Sequence, residues 1–284
     1  MKYIIKMADI YILMDVPYLL HQSASMTEFL FPYLDQKKSD VRMTLLPVEK
    51  LPVPQDIRYS DMKRIYVSKG DTAGIYFVSS PGRPPYAYTS RSFVNDGQLI
   101  CKYLLGNERK IEYARNLITL MDIEATLLDF NALILHASFI RWHDMGIIFS
   151  APSGTGKSTQ ADLWVKYQGA EVLNGDRAAL RKVDGLWRAY GLPYAGTSGI
   201  YRNESAPLKA IVALRQAKEN RIREIKGAEA FRYLYPETMI HRWDPDFERR
   251  ATDLLLQLIG DIPVYLLECL PDEGAVKLLH DTVS

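Results

Sequence analysis

The sequence has few cysteines and almost no net charge. Only two cysteines, Cys101 and Cys269, occur among 284 residues, so the chain has neither a disulfide framework nor the spacing of a cysteine metal site. We therefore expect two partly buried thiols in a reducing compartment. The formal net charge of +1 provides no global field that would attract nucleic acid or an anionic membrane. We accordingly expect neither nucleic acid nor a membrane among the partners.

Long apolar segments are also missing. No run is long enough to span a bilayer, which requires about 20 apolar residues. The N-terminal stretch 1–14 is interrupted by Lys6 and Asp9 and has no convincing cleavage site for a signal peptide. Its pattern predicts strands with a hairpin through Met7 to Asp9 instead. These observations favour a cytoplasmic protein.

The sequence does contain enough apolar material for a large core, in two regions of different character. With 48% hydrophobic residues, the chain can bury one large core or two modest ones. Residues 1–104 hold short runs of β-branched and aromatic residues, which predicts a strand-rich N-terminal domain. Residues 105–284 open with a helical pattern over 109–130 and continue with apolar strands and helices. We therefore predict two domains, 1–104 and 105–284, and propose substrate docking as the role of the first.

One stretch of the second domain has the pattern of a phosphate-binding loop. An apolar strand, 146–150, is followed by Ala-Pro-Ser-Gly-Thr-Gly and by Lys-Ser-Thr at the start of a helix. Such a loop directs backbone N–H groups at phosphate oxygens, while its lysine supplies a cation and its serine can bind Mg²⁺. Ala151 stands where the first glycine of the general pattern belongs. The predicted nucleotide-binding residues are Ser153, Gly154, Thr155, Gly156, Lys157, Ser158 and Thr159.

Further residues complete the predicted site. Phosphoryl transfer requires a metal and a group that orients or deprotonates the acceptor. Asp176 follows a short apolar strand, one helix after the loop, and is predicted to bind the metal with Ser158 or to act as base; an ordinary turn residue is the alternative. His136 lies in a strand pattern over 131–140, and its alternatives are an acid–base role and a hydrogen-bonded core position. Arg177 is a candidate for binding a substrate phosphate, and a solvated surface arginine is the alternative.

These stretches resemble the catalytic half of HPr kinase/phosphorylase, whose core is shared with phosphoenolpyruvate carboxykinase. The resemblance covers residues 130–215 and rests on Leu-His-Ala before the loop strand, Ser-Gly-Thr-Gly-Lys-Ser in the loop, and Leu-Asn-Gly-Asp after the next helix. It implies an α/β fold with a mixed-sheet P-loop kinase core, preceded by a smaller strand-rich α+β domain. It also implies ATP and Mg²⁺, catalytic roles for Lys157, Asp176 and His136, and a metal ligand at Glu204, the approximate counterpart of a later glutamate of the family.

One position departs from the family pattern. The family has two adjacent aspartates where this sequence has Gly175 and Asp176. One of the two carboxylates that share metal binding and activation of the acceptor is therefore missing, and whether Asp176 or His136 is the base stays open here. Because the family forms hexamers, the resemblance is also compatible with a homo-oligomer.

The acceptor is predicted from a narrower resemblance. The architecture looks like the divergent HPr-kinase-like proteins of bacterial peptide natural-product clusters, some of which resemble lasso-peptide tailoring kinases. This implies transfer of the γ-phosphate of ATP to the C-terminal serine of a precursor peptide. A second alternative is a small-molecule hydroxyl as acceptor, with Tyr194 and the loop 191–199 forming a compact pocket. A third is a nucleotide-binding module without catalysis, which the missing carboxylate favours.

Overall fold

The chain divides into two compact units. We describe a computed structural model that covers residues 1–32, 39–69, 72–92, 98–194, 196 and 198–284. The units are Met1–Thr126 and Leu127–Ser284. Each unit contains a mixed sheet accompanied by helices, which confirms the predicted α/β class. Among the helices in these ranges, none combines the length and the apolar character that a membrane crossing requires.

The first unit is built on one mixed sheet. Its strands are β1 Lys2–Met7, β2 Ile10–Asp15, β3 Leu30–Pro32, β4 Val41–Val48, β5 Ile57–Ser60, β6 Arg64–Lys69, β7 Thr72–Val78, β8 Pro85–Ser92 and β9 Gln98–Leu104. Within the described ranges their order across the sheet is β3-β1-β2-β4-β9-β8-β7-β6-β5. The predicted first hairpin is confirmed, because β1 and β2 pair antiparallel with Met7 opposite Ile10. A 3-10 turn, Ala24–Met26, lies between β2 and β3.

The division between the units lies after Thr126 and not at residue 104, where the sequence placed it. The segment after β9 belongs to the first unit, since the Tyr18 hydroxyl donates to the carbonyl of Ile111 at 3.3 Å and Ile111 is fully buried. A single helix over 109–130 was also expected, but Asp122 adopts a φ of 50°, which a continuous right-handed helix does not allow. The segment forms a 3-10 turn Glu108–Lys110 and the helices α1 Ala114–Leu120 and α2 Ile123–Leu128.

The second unit contains the predicted loop. Its strands are β10 Ala132–Trp142, β11 Met145–Ser150, β12 Glu171–Asn174, β13 Arg177–Val183, β14 Leu186–Gly191, β15 Ser205–Gln216, β16 Arg221–Ile225 and β17 Val264–Cys269. Its helices are α3 Lys157–Gln168, α4 Gly227–Leu234, α5 Pro245–Asp261 and α6 Glu273–Val283, with a 3-10 turn Tyr235–Glu237 after α4.

Two long strands, β10 and β15, organise the pairing in this unit. Strand β11 lies between them, antiparallel to β10 and parallel to β15. The first half of β10 pairs with β13, which continues through β14 to the start of β15. On the other side, β15 pairs with β17 and β17 with β16. Strand β12 pairs with the second half of β10.

The strand that feeds the loop is held in a packed core. Residues 146–150 of β11 are all buried, as expected of a strand covered on both faces. A cluster that includes Phe149, Trp164 of α3, Val212 of β15 and Leu279 of α6 lies on one face of this sheet. Each of these side chains contributes roughly 1.5–3 kcal/mol of burial free energy, before the entropy of ordering is subtracted. The core therefore fixes the end of β11, where the loop begins.

Two turns and a helix cap in this unit follow from the residues that form them. Asp184 and Gly185 join β13 to β14 with φ angles of 49° and 81°, the left-handed pair that a tight hairpin needs. His143 and Asp144 make the same kind of turn between β10 and β11. Gly169 ends α3 with a φ of 65°, and its N–H donates to the carbonyl of Val165 at 3.2 Å.

Candidate functional site

Two glycines shape the backbone of the loop between β11 and α3. Gly154 and Gly156 have φ angles of 80° and 116°, a region that favours glycine. A Cβ added at either position would meet nothing within 4 Å, so conformation and not crowding explains both glycines. The Gln216 amide Nε2 lies 3.4 Å from the carbonyls of Gly154 and Thr155 and ties the loop to the end of β15.

Helix α3 begins directly at the end of this loop. Gly156 is its N-cap, and no side chain caps the helix. The first N–H groups of a helix have no carbonyl partner within it, so they are free for an anion that the helix dipole also attracts. Ser158 and Thr159 are exposed in this first turn. The predicted nucleotide-binding residues therefore form one continuous element.

Lys157 is buried at the centre of the site, with only 7% of its surface exposed. Its ammonium donates to the carbonyls of Ala151 at 2.7 Å and of Pro152 at 3.3 Å. Burial lowers the pKa of Lys157, while the negative charges of Glu237 and Asp176 act in the opposite direction. A buried ammonium that is bonded to neutral carbonyls, next to uncapped N–H groups, fits a phosphate group.

A buried amide holds Asp176 in place. Asn174 is fully buried, and its Oδ1 accepts from the backbone N–H groups of Asp176 and Arg177, both at 2.8 Å. Its Nδ2 donates to the carbonyl of Leu192 at 2.6 Å. The carbonyl of Asp176 accepts from the N–H of Ala137 in β10 at 3.0 Å. The Asn-Gly-Asp turn therefore fixes the carboxylate beside the strand that carries His136.

Arg177 and part of the following loop lie against Asp176. The Arg177 Nε is 3.5 Å from the Asp176 Oδ2, and the guanidinium carbon lies 4.5 Å from the centroid of the Tyr194 ring. A Cβ added at Gly196 would be 2.9 Å from the Cβ of Asp176. Of the predicted 191–199 loop, residues 195 and 197 lie outside the described ranges. In the described part, the ring of Tyr194 packs on Arg177, next to Asp176. The small-molecule alternative expected Tyr194 to line a pocket.

His136 is paired with a carboxylate that no sequence motif marks. Its Nδ1 lies 2.9 Å from the Oε2 of Glu237, and the two side chains are 28% and 11% exposed. Glu237 ends the 3-10 turn after α4, and this turn is joined to β10 by the bond from the Met239 N–H to the Ile134 carbonyl at 2.9 Å. In register, His136 is the partner of Arg177. His136 is thus paired with Glu237, and the charges of Glu237 and Asp176 both act on Lys157.

A cavity of about 550 Å³ opens beside the loop. Its walls include the loop residues Ser153, Gly154 and Thr155 together with Tyr233 and Glu237. This volume lies in the usual range of small-molecule sites. A ligand that fills it would touch the loop and the carboxylate of Glu237 together.

Gly175, which stands where the family has an aspartate, cannot carry a side chain in this arrangement. An ideal Cβ at this position would lie 2.1 Å from the Oγ of Ser198 and 2.6 Å from its Cβ. The Ser198 Oγ also accepts from the N–H of Ile200 at 3.2 Å. Ser198 therefore occupies the space into which a carboxylate at residue 175 would project.

Glu204, the expected third metal ligand, is paired with an arginine instead of lying with the other two expected ligands, Ser158 and Asp176. Its Oε2 accepts from the Arg141 guanidinium at 2.7 Å, and the same guanidinium pairs with Glu171 at 2.5 Å. Arg141 is the register partner of Gly146 at the start of β11, whereas the loop follows the end of that strand. The start of β11 at Gly146 and its end at Ser150, where the loop begins, are four residues apart, which is about 13 Å of strand. The position of Glu204 does not support a role in metal binding at the loop.

Comparisons with known proteins add a distant structural likeness. No family model matches the sequence, and no curated protein is significantly similar to it. Among solved structures, the chain is similar to the HPr(Ser) kinase/phosphatase from Coxiella burnetii, with a TM-score of 0.31 and 12% sequence identity over 53% of this chain and 87% of that one. Because the likeness is this distant, the residues of the site carry the functional argument.

Proposed function

We propose that this chain is a kinase that transfers the γ-phosphate of ATP to a hydroxyl group, with Mg²⁺ as its metal. The observation that carries the proposal is the setting of Lys157. Its buried ammonium lies at the junction of a two-glycine loop and an uncapped helix N-terminus, with two carboxylates close enough to act on its charge. Cation, backbone donors and carboxylates are the components that phosphoryl transfer needs, because the reaction is catalysed by positioning and by charge neutralisation.

Each residue of the group has a distinct role in this proposal. Lys157 and the loop N–H groups bind the β- and γ-phosphates. Ser158 and Asp176 offer the hydroxyl and carboxylate oxygens that Mg²⁺ prefers, and the bound metal supplies neutralisation of the phosphate charge. Arg177, close to Asp176 and Tyr194, supplies a second cation for a substrate phosphate.

We further propose that the acceptor is a serine hydroxyl of a peptide, the C-terminal serine of a lasso-type precursor. The support is the sequence resemblance of the loop and the Leu-Asn-Gly-Asp segment to kinases of that kind. Mass spectrometry of serine-terminated peptides and of small alcohols, each incubated with the protein and Mg²⁺-ATP, distinguishes this acceptor from a small-molecule hydroxyl. A third outcome is tight ATP binding with no phosphorylated product from any acceptor and no release of phosphate to water. That result would identify a non-catalytic nucleotide-binding module.

The central test replaces the buried lysine. Lys157→Ala should lower the rate of phosphate transfer by on the order of 100-fold or more, because it removes a charge that acts on the transition state. Lys166→Ala is the matched control, since Lys166 lies in the last turn of the same helix and is exposed. Circular dichroism checks that both variants are folded. Undiminished transfer by folded Lys157→Ala would refute the proposed function.

A further inference from the structure

The missing carboxylate at residue 175 leaves the proposed kinase one acidic group short. In the proposed kinase, Asp176, whose charge acts on Lys157, would be engaged in binding the metal. Ser198 fills the space that a side chain at residue 175 would need. A group that accepts the proton of the acceptor hydroxyl must therefore come from another element of the fold.

His136 has the hydrogen bonding of an oriented base. The Glu237 carboxylate lies 2.9 Å from its Nδ1. An ionised carboxylate only accepts, so with Glu237 ionised a neutral imidazole carries its proton on Nδ1. The other ring nitrogen, Nε2, then has a free lone pair, and among the described residues it has no hydrogen-bond partner. The side chain is 28% exposed, so the ring is partly shielded from solvent but still accessible.

Glu237 is held rigidly enough to orient the ring. Its side chain is 11% exposed and it lies in a 3-10 turn. The chain directly after it is bound to β10, where Leu135 and Thr238 form a bridge and the Met239 N–H bonds to Ile134. His136 follows Leu135 in that strand. The histidine and its carboxylate are therefore fixed to each other through the backbone as well as through the side-chain bond.

We propose that Glu237 is a positioning residue that makes His136 the base of the reaction, in place of the missing aspartate; this inference rests on the proposed kinase function. The acceptor O–H gives its proton to Nε2 of His136 while the oxygen forms a bond to the γ-phosphorus. The bond from that phosphorus to the β–γ bridging oxygen breaks, and its electron pair leaves with the nucleoside diphosphate. Glu237 stabilises the imidazolium that results, as the carboxylate of a Ser-His-Asp triad does.

A double-mutant cycle tests whether Glu237 acts through His136. The assay is phosphate release from Mg²⁺-ATP, with water as the acceptor hydroxyl, so that no peptide has to be identified. We expect His136→Gln to lower kcat by about 100-fold or more and Glu237→Gln by about 10- to 100-fold, with the ATP dissociation constant little changed. In the double variant, kcat should be no lower than in His136→Gln alone.

Two controls separate this role from a structural one. Another histidine–carboxylate pair among the described residues is His280 with Asp281, at 3.1 Å. Asp281→Asn removes its carboxylate and should leave kcat unchanged. Nitrogen-15 spectra of the imidazole rings should show His136 protonated at Nδ1 in the wild type and a mixture of tautomers in Glu237→Ala, whether or not the protein turns over ATP.

The outcomes are distinguishable. If Glu237→Gln lowers kcat equally in the wild-type and His136→Gln backgrounds, Glu237 acts independently of His136 and the inference is wrong. A wild-type ring protonated at Nε2 would also overturn it. If the wild type neither hydrolyses ATP nor phosphorylates an acceptor, the proposed function fails, while the nitrogen spectra still decide whether Glu237 sets the tautomer.

Discussion

Asn174 offers the sharpest test of how the site is held together. Its side chain makes three hydrogen bonds of 2.6–2.8 Å in a fully buried position, two of them to the N–H groups of Asp176 and Arg177. Asn174→Ala removes all three bonds and leaves two N–H groups and the Leu192 carbonyl without this partner. A lost hydrogen bond costs about 1 kcal/mol net, and more when a buried group is left unsatisfied. We therefore expect the free energy of unfolding to fall by about 3–5 kcal/mol.

Tryptophan fluorescence during urea unfolding measures this fall in the free energy of unfolding, and it reports on the unit that contains Asn174, Leu127–Ser284. All four tryptophans lie in the second unit, at Trp142, Trp164, Trp187 and Trp243. The control is Asn220→Ala, which also removes two asparagine hydrogen bonds, to Leu270 and Asp272, but at a half-buried position. It should cost about 1 kcal/mol.

The site itself provides the second measurement. Because Asn174 fixes the backbone of Asp176, its loss should lower turnover with Mg²⁺-ATP well below that of Asn220→Ala at a temperature where both variants are folded. Equal stability losses in the two variants, together with equal turnover, would refute the conclusion that this amide positions the carboxylate.

Three further predictions concern two glycines, Gly154 and Gly196, and the glutamate Glu204. Gly154→Ala should weaken ATP binding about tenfold by calorimetry, because a φ of 80° costs a residue with a Cβ about 1–2 kcal/mol; unchanged affinity would mean that the loop does not need this conformation. Gly196→Ala should lower kcat more than it changes ATP affinity, since the new Cβ would lie 2.9 Å from Asp176; the reverse pattern would contradict the placement of that carboxylate. Glu204→Gln should leave the Mg²⁺ dependence of turnover unchanged, and a clear rise in the Mg²⁺ requirement would reinstate Glu204 as a ligand.

Local features of the site could be predicted because local chemistry determines them. Glycines at two positive φ angles, a lysine at the first position of a helix and a glycine cap at its end all leave a signature within a few residues of the chain. The hairpin at Asp184-Gly185 is of the same kind. Asn174 stood within a predicted motif, but its role depends on Leu192, which lies in another element.

The roles of the two glutamates could not be predicted, because pairing between distant strands decides them. Glu204 stands close in sequence to β15, the neighbour of the loop strand, yet the register of β10 puts its partner Arg141 at the far end of β11. Glu237 follows His136 by 101 residues and lies in no recognisable motif, yet its turn is joined to β10 where His136 lies. The sequence alone therefore does not show which of the two carboxylates lies beside His136. Only the pairing of β10 with both β11 and the turn after α4 brings Glu237 to His136 and separates Glu204 from it.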